Sequence, residues 1–189
     1  RYDESVELVA QGFAGIKVGD PTDPTVITGP VINRRQHERV LSYIERGKAE
    51  GARVAFGGSG RPPGLDKGWF VEPTLFADVN NQMTIAREEI FGPVLVVIPF
   101  EDDDDAVRIA NDSPYGLAGA VSSGSEERAL AVARRIRSGD LGVNGGSYYA
   151  PDTPFGGYKA SGMGRQNGLE GFEQYLETKA IAIGVPPGA

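Results

Sequence analysis

The sequence has no cysteine and one histidine, His37. No disulfide can form, Cys/His zinc sites are excluded, and no thiolate nucleophile can be assembled from these 189 residues. Positive charge is also short. Against 26 Asp and Glu stand 19 Lys and Arg, a formal net charge of −7, which speaks against a footprint for nucleic acid or an anionic membrane. Long apolar runs are missing too: the longest, Val94 to Phe100, is interrupted by Pro99 and falls far short of the roughly 20 residues of a membrane helix. The opening RYDESVELVA has none of the features of a signal peptide. These absences lead us to expect a cytoplasmic protein with no membrane and no nucleic-acid partner. No Met stands at position 1 and a helical pattern begins within five residues, so the chain is expected to be a fragment.

What is present suffices for a globular fold. A chain of this length should bury roughly 70% of its unfolded surface, and 40% of its residues are hydrophobic. The 27 glycines and 13 prolines predict many turns while staying below the roughly 25–30% that marks low-complexity disorder.

Val6, Val9, Ala10 and Phe13 fall at helical spacing, predicting a helix from Asp3 that Gly15 closes. A second helix is predicted from about Arg34 to Gly51, with His37, Val40, Leu41, Ile44 and Lys48 on one face. Strands are predicted at Arg53 to Phe56, at Trp69 to Leu75 and at Leu95 to Phe100, the last buried on both faces. The acidic run Glu101 to Asp105 then opens a helix, where carboxylates complement the dipole and cap free N–H groups. A divalent-metal reading is weaker, because consecutive Asp residues at a helix start point in different directions. Ala118 to Val121 reads as a strand, and Ser123 with Glu126 as a capping box. Ala129, Val132, Ala133 and Ile136 form a helical stripe up to Gly139. Leu141 to Asn144 is a strand, Gly168 to Leu176 a short helix, and Thr178 to Ile183 a last strand. Strands separated by helices point to an α/β fold with helices on the faces of a sheet.

A dinucleotide fingerprint G-x-G-x-x-G between strand and helix is absent; Gly57 to Gly60 and Gly162 to Gly164 read as turns. The segment Glu88-Glu89-Ile90-Phe91-Gly92-Pro93-Val94 sets two carboxylates and an aromatic ring before an apolar strand. One carboxylate can accept hydrogen bonds from two neighbouring sugar hydroxyls, and a Phe ring can cover a flat ring by stacking. The same residues also make an ordinary solvated loop.

Together with Pro154-Phe155-Gly156-Gly157-Tyr158-Lys159-Ala160-Ser161-Gly162-Met163-Gly164-Arg165 and Asn111-Asp112-Ser113-Pro114-Tyr115-Gly116-Leu117, this segment resembles the aldehyde dehydrogenase superfamily. The resemblance runs from Tyr2-Asp3-Glu4 through Phe70-Val71-Glu72-Pro73-Thr74 and Gly139-Asp140-Leu141-Gly142-Val143-Asn144 to Glu177-Thr178-Lys179. It covers the C-terminal part of the family's catalytic domain. The fold it implies is a three-layer α/β/α sandwich with a C-terminal oligomerisation strand. The implied division is a catalytic-domain portion over 1–160, a segment with a short helix over 161–177, and the oligomerisation strand and tail over 178–189.

In the family, a Cys thiolate adds to the aldehyde, hydride passes to NAD or NADP, and a Glu-activated water hydrolyses the thioester. The resemblance places that Cys and that Glu before Arg1, so these residues alone are expected to be inactive and to carry no catalytic residue and no metal. It assigns Glu89 to the nicotinamide ribose hydroxyls and Phe91 to the nicotinamide face, and it has Gln36 and Arg39 reach toward the cofactor, Arg replacing the family's Lys. His37 is expected to be structural. Phe155 resembles a wall of the substrate tunnel, with Ser147 and Tyr149 where members vary with substrate. Gly145-Gly146-Ser147-Tyr148-Tyr149 offers rings and hydroxyls but no cation, favouring a neutral, apolar or aromatic aldehyde over a carboxylate-bearing one. Arg165 and Glu177 resemble members of a salt-bridge network near a subunit interface, and Lys179 to Ile183 a strand that pairs across subunits, implying a homo-oligomer, dimer or tetramer. Two other readings stay open: a short non-catalytic module that pairs with full-length subunits, and a superfamily relative acting on acyl phosphates or CoA thioesters.

Overall fold

The computed structural model describes residues 1–147 and 149–184. The chain divides into two compact units, Arg1–Asp102 and the residues from Asp103 onward. Each unit combines helices with a sheet that contains parallel pairing, and the α/β class holds.

In the first unit α1 (Tyr2–Ala14) and α2 (Arg34–Ala49) precede a three-stranded sheet of β1 (Arg53–Phe56), β2 (Thr74–Ala77) and β3 (Val94–Val96), in that order. The β1 and β2 strands run antiparallel, β2 and β3 parallel. Asn33 caps α2 by accepting from the Gln36 N–H at 2.9 Å. The buried residues of α2 are Val40, Tyr43, Ile44 and Gly47, one helical stripe. It packs on Val71, Phe76, Val79, Ile85 and Ile90 to form the core. His37 sets its Nε2 3.1 Å from the Phe70 carbonyl and its ring beside Trp69, a structural placement. Lys48, expected on the apolar face, instead reaches Glu45 and Ser59 at the surface.

The second predicted strand starts late because Pro73 has no N–H for a ladder; pairing begins at Thr74, whose N–H donates to the Pro93 carbonyl at 2.9 Å. The third is shorter than expected and is not buried on both faces. It lies at the sheet edge with a single neighbour, and Leu95 is 44% exposed. Between β2 and β3 the one-turn helix α3 (Thr84–Arg87), which periodicity cannot detect, is tied to α2 by Glu50, whose carboxylate accepts from the Thr84 N–H and hydroxyl.

The second unit opens with α4 (Asp103–Asn111) and continues through a β–α–β crossover of β4 (Ala118–Val121), α5 (Glu126–Ala133) and β5 (Asp140–Val143), the two strands parallel in register. A 3-10 turn at Lys159–Ser161 and α6 (Gly168–Glu173) follow. The α5 cap differs from the expected box: Ser125 accepts from the Arg128 N–H, while the Ser123 hydroxyl accepts from the Ser125 N–H. The α5 and α6 helices both stop short of their predicted ends, and residues 178–184 form no strand; Ile181 is 80% and Ile183 89% exposed. A strand exists only as one side of a ladder, and among the described residues none is assigned opposite this segment. Residues 185–189 of the expected tail lie outside the described residues.

The acidic run does more than complement the α4 dipole. Arg128 of α5 makes a two-pronged contact with Asp103 at 2.6 and 2.9 Å, Arg135 reaches Asp104 at 2.6 Å, and Arg108 reaches Asp105 at 2.6 Å. No group of metal-ligating side chains occurs among the described residues. The Arg128 guanidinium holds the Asp103 carboxyl below the usual carboxylate range. A depressed folded-state value stabilises above the unfolded pKa of about 3.9 and is lost as pH falls through the folded one. Asp103→Asn is therefore expected to flatten the loss of thermal stability below about pH 4 while lowering stability slightly at neutral pH, the pair being solvent-exposed. Melting curves of both proteins from pH 7 to 2 check this; parallel acid limbs would show that the pair contributes nothing.

Candidate functional site

The residues singled out in the sequence fall into two groups, each within one unit. In the first unit α2 grips the loop that leads from α3 to β3. Gln36 donates through Nε2 to the carbonyls of Ile90 (3.2 Å) and Phe91 (2.9 Å), and Arg39 donates to the carbonyl of Glu89 at 2.5 Å. Three successive loop carbonyls thus find partners on one helix face, and the one at Ile90 is part-buried, where a backbone group requires a partner. Tyr43, one turn beyond Arg39, donates its phenol to Glu88 Oε2 at 2.6 Å. That contact, with burial, pushes the phenol above its ordinary pKa, since ionising it would set a phenolate against a carboxylate. Below the loop Ile90 is buried in the core, and a Cβ on Gly92 would stand 2.6 Å from Val40 Cγ2.

With the carbonyls and the Glu88 side chain bound, two groups face outward. The Glu89 carboxylate accepts no hydrogen bond among the described residues, and Phe91 holds its ring 74% exposed at φ +61°. A non-glycine residue in the left-handed region is uncommon and strained, and burial of the ring does not explain it. The structure therefore brings Gln36, Arg39, Glu89 and Phe91 together. Gln36 and Arg39 are hydrogen-bonded to the loop that carries Glu89 and Phe91. Sequence reasoning does not single out Tyr43 and names Glu88 only as one of the two carboxylates of the loop. The available signal was spacing, since Tyr43 lies seven residues from Gln36 and four from Arg39, on the same helix face.

In the second unit the 111–117 and 155–161 motifs clasp each other. Lys159 donates to the carbonyls of Asn111 (2.9 Å) and Ser113 (3.0 Å), the Gly116 N–H donates to the Ser161 hydroxyl at 3.0 Å, and the Tyr158 N–H donates to the Gly116 carbonyl at 2.8 Å. Phe155 pairs with Gln166 through both backbone groups, at 2.8 and 2.7 Å. Its ring meets that of Tyr149 edge-on, centroids 5.4 Å apart. Phe155 also lines an open cavity of about 570 Å³ with Leu117, Met163, Arg165, Gln174 and Tyr175. Ser147 is exposed and does not line it, and Tyr148 lies outside the described residues. Arg165 and Glu177 form no ion pair with each other: the guanidinium donates to the carbonyls of Gly157 and Gly164 and covers the Tyr158 ring at 5.3 Å, while Glu177 is exposed.

A free carboxylate can accept hydrogen bonds from two neighbouring sugar hydroxyls, and an exposed ring can cover a flat heterocycle. The chain belongs to the aldehyde dehydrogenase family, whose model matches residues 1–181. It is 51% identical over 179 residues to the 3-succinoylsemialdehyde-pyridine dehydrogenase of a Pseudomonas species, covering 94% of this chain and 37% of that protein. A putative aldehyde dehydrogenase of Staphylococcus saprophyticus is 47% identical over 180 residues, 95% of this chain and 38% of that protein. Among solved structures, a mutant of aldehyde dehydrogenase C from Pseudomonas syringae in complex with NAD+ and octanal matches with a TM-score of 0.90 and 48% identity, over 96% of this chain and 37% of that one. An aldehyde dehydrogenase of Mycobacterium tuberculosis in complex with NAD+ matches with a TM-score of 0.90 and 47% identity, over 100% of this chain and 39% of that one. The chain thus spans less than two fifths of the length of these relatives. No helix among the described residues is long and apolar enough to cross a membrane.

Proposed function

We propose that the chain works as part of an NAD(P)-dependent aldehyde dehydrogenase that oxidises an aldehyde to a carboxylic acid, its loop at Glu88 to Gly92 holding the nicotinamide half of the cofactor. The observation that carries the reading is the Phe91 ring, exposed and held at positive φ next to the unpartnered Glu89 carboxylate. The donor set fits the group: a carboxylate for two ribose hydroxyls and an apolar face for the nicotinamide ring. When bound, the nicotinamide takes up the hydride released from the aldehyde carbon. Glu89 and Phe91 fix where that ring stands, and position governs the rate of such a transfer. Gln36 and Arg39 keep the loop in place. The chain has no cysteine, so the thiolate that would form the thiohemiacetal and thioester comes from outside these 189 residues, which by themselves should not turn over.

The substrate we assign is a neutral, apolar or aromatic aldehyde. Support comes from the edge-on Tyr149 and Phe155 rings and, by similarity, from the octanal held by the Pseudomonas syringae relative. The exposed Ile181 and Ile183 suit a segment that pairs with a second subunit in a dimer or tetramer.

In the complete protein, Glu89→Gln is expected to weaken NAD+ binding about tenfold, as loss of a charge-assisted hydrogen-bond pair does, measured by calorimetry. Unchanged affinity would overturn the assignment of the loop, and NADH formation by residues 1–189 alone would overturn the external nucleophile.

A further inference from the structure

The loop offers two adjacent carboxylates, yet only one stands free. Glu88 has extended backbone (φ −107°, ψ 144°), where successive side chains point to opposite sides, so a half-turn of the segment about its own axis, carrying the 88–89 peptide with it, would exchange the two. Tyr43 and Arg39 grip the loop on either side of that peptide. The Tyr43 ring is buried in the core cluster, which makes its phenol oxygen a fixed point. That oxygen accepts from Arg39 at 3.2 Å and donates to Glu88 Oε2 at 2.6 Å. The second contact is short, and donation from a guanidinium polarises the phenol toward its acceptor. The same Arg39 group holds the Glu89 carbonyl. Arg39 and Arg46 also flank the ring at 5.0 and 6.0 Å.

We infer that Tyr43 is a positioning residue for cofactor binding: by engaging Glu88 it selects Glu89 as the carboxylate presented to the cofactor's ribose hydroxyls. The inference rests on the reading of Glu89 given above, and the test separates failure of the one from failure of the other. Tyr43→Phe is the informative variant because it keeps the buried ring and its cation contacts and removes only the hydroxyl.

In the complete protein, NAD+ affinity is measured by calorimetry for Tyr43→Phe, Glu88→Ala, Glu89→Gln and the Tyr43→Phe/Glu89→Gln pair, with the KM for aldehyde and the melting temperature alongside. Tyr43→Phe and Glu88→Ala are each expected to weaken NAD+ binding about five- to tenfold, within the net worth of one intramolecular hydrogen bond. The KM for aldehyde should stay put, and the double variant should be no weaker than Glu89→Gln alone, because Tyr43 acts through Glu89. Wild-type affinity in Tyr43→Phe, or effects that multiply in the double variant, would overturn the role of Tyr43 while leaving Glu89 in place. Wild-type affinity in Glu89→Gln would overturn the reading of the loop and the inference with it.

Discussion

Gly139→Ala is expected to be the most damaging Gly→Ala change among the described residues. An ideal Cβ at that position would lie 1.6 Å from the carbonyl oxygen of Gly156 and 3.4 Å from that of Leu117. Here three backbone segments meet without a side chain between them. The Gly139 N–H donates to the Gly116 carbonyl at 3.1 Å, the Asp140 N–H to the Leu117 carbonyl at 3.1 Å, and the far side is the Phe155-Gly156-Gly157 segment, which Phe155 joins to Gln166 by an isolated bridge. A flexible side chain could swing away, but a carbonyl moves only with its peptide. Relief would break the start of β5 or shift Phe155 off its bridge with Gln166. Overpacking typically costs about 1–3 kcal/mol, and backbone contact this close belongs at or above the top of that range. For a chain of this size about 3 kcal/mol corresponds to a melting temperature lower by roughly 6–12 °C. Gly124→Ala, in the same unit with open space around its Cβ, should change stability by less than about 0.5 kcal/mol. Thermal melts of the two variants against wild type check both, and a Gly139→Ala protein as stable as Gly124→Ala would mean that the segments are not packed as described.

The contrast between those two glycines marks what the amino-acid order reveals. Helical periodicity is a local property, and α1, α2, β1 and β4 lie where their apolar spacing predicts them. Elements whose extent is set by a neighbour were harder to read. The β2 strand begins where Pro93 can accept its first hydrogen bond, β3 stops where the edge of the sheet runs out, and residues 178–184 have the composition of a strand with no ladder beside them. The acidic run at Asp103 to Asp105 was legible as helix-start chemistry. Its second role, tying α4 to α5 through Arg128 and Arg135, spans 25 and 31 residues and leaves no trace in local spacing.

The candidate site divides in the same way. Glu89 and Phe91 could be picked out because a carboxylate and a ring before an apolar strand suggest a ligand, and family resemblance sharpens that suggestion. Tyr43 could not, because an aromatic on the buried stripe of a helix reads as core, which its ring indeed is. Only the position of one oxygen atom, 2.6 Å from Glu88, gives it a second task. For Gln36 and Arg39, polar residues on an exposed helix face, sequence could not tell a ligand contact from a grip on a neighbouring loop.

Gly92→Ala should separate the seat of that loop from its chemistry. Its Cβ would fall 2.6 and 2.8 Å from the two γ-methyls of Val40, a fully buried residue at the centre of α2. Valine is stiff at χ1, so the loop has to rise off the helix. Rising lengthens the hydrogen bonds from Gln36 to the Ile90 and Phe91 carbonyls and from Arg39 to the Glu89 carbonyl, and it releases the positive φ of Phe91. The expected cost is about 1–3 kcal/mol in stability, together with NAD+ binding about tenfold weaker in the complete protein, since both cofactor contacts leave their positions. The clash has an exact partner, which makes the explanation testable by repair. Val40→Ala deletes the two methyls that the new Cβ would strike; alone it should cost about 2 kcal/mol through the cavity it leaves, but in Gly92→Ala/Val40→Ala the added methyl occupies that cavity. The double variant should therefore bind NAD+ more tightly than Gly92→Ala alone and be destabilised by less than the sum of the two single changes. Additive losses in both measurements would mean that contact with Val40 does not hold Phe91 and Glu89 in place, and that the loop owes its conformation to the hydrogen bonds from α2 alone.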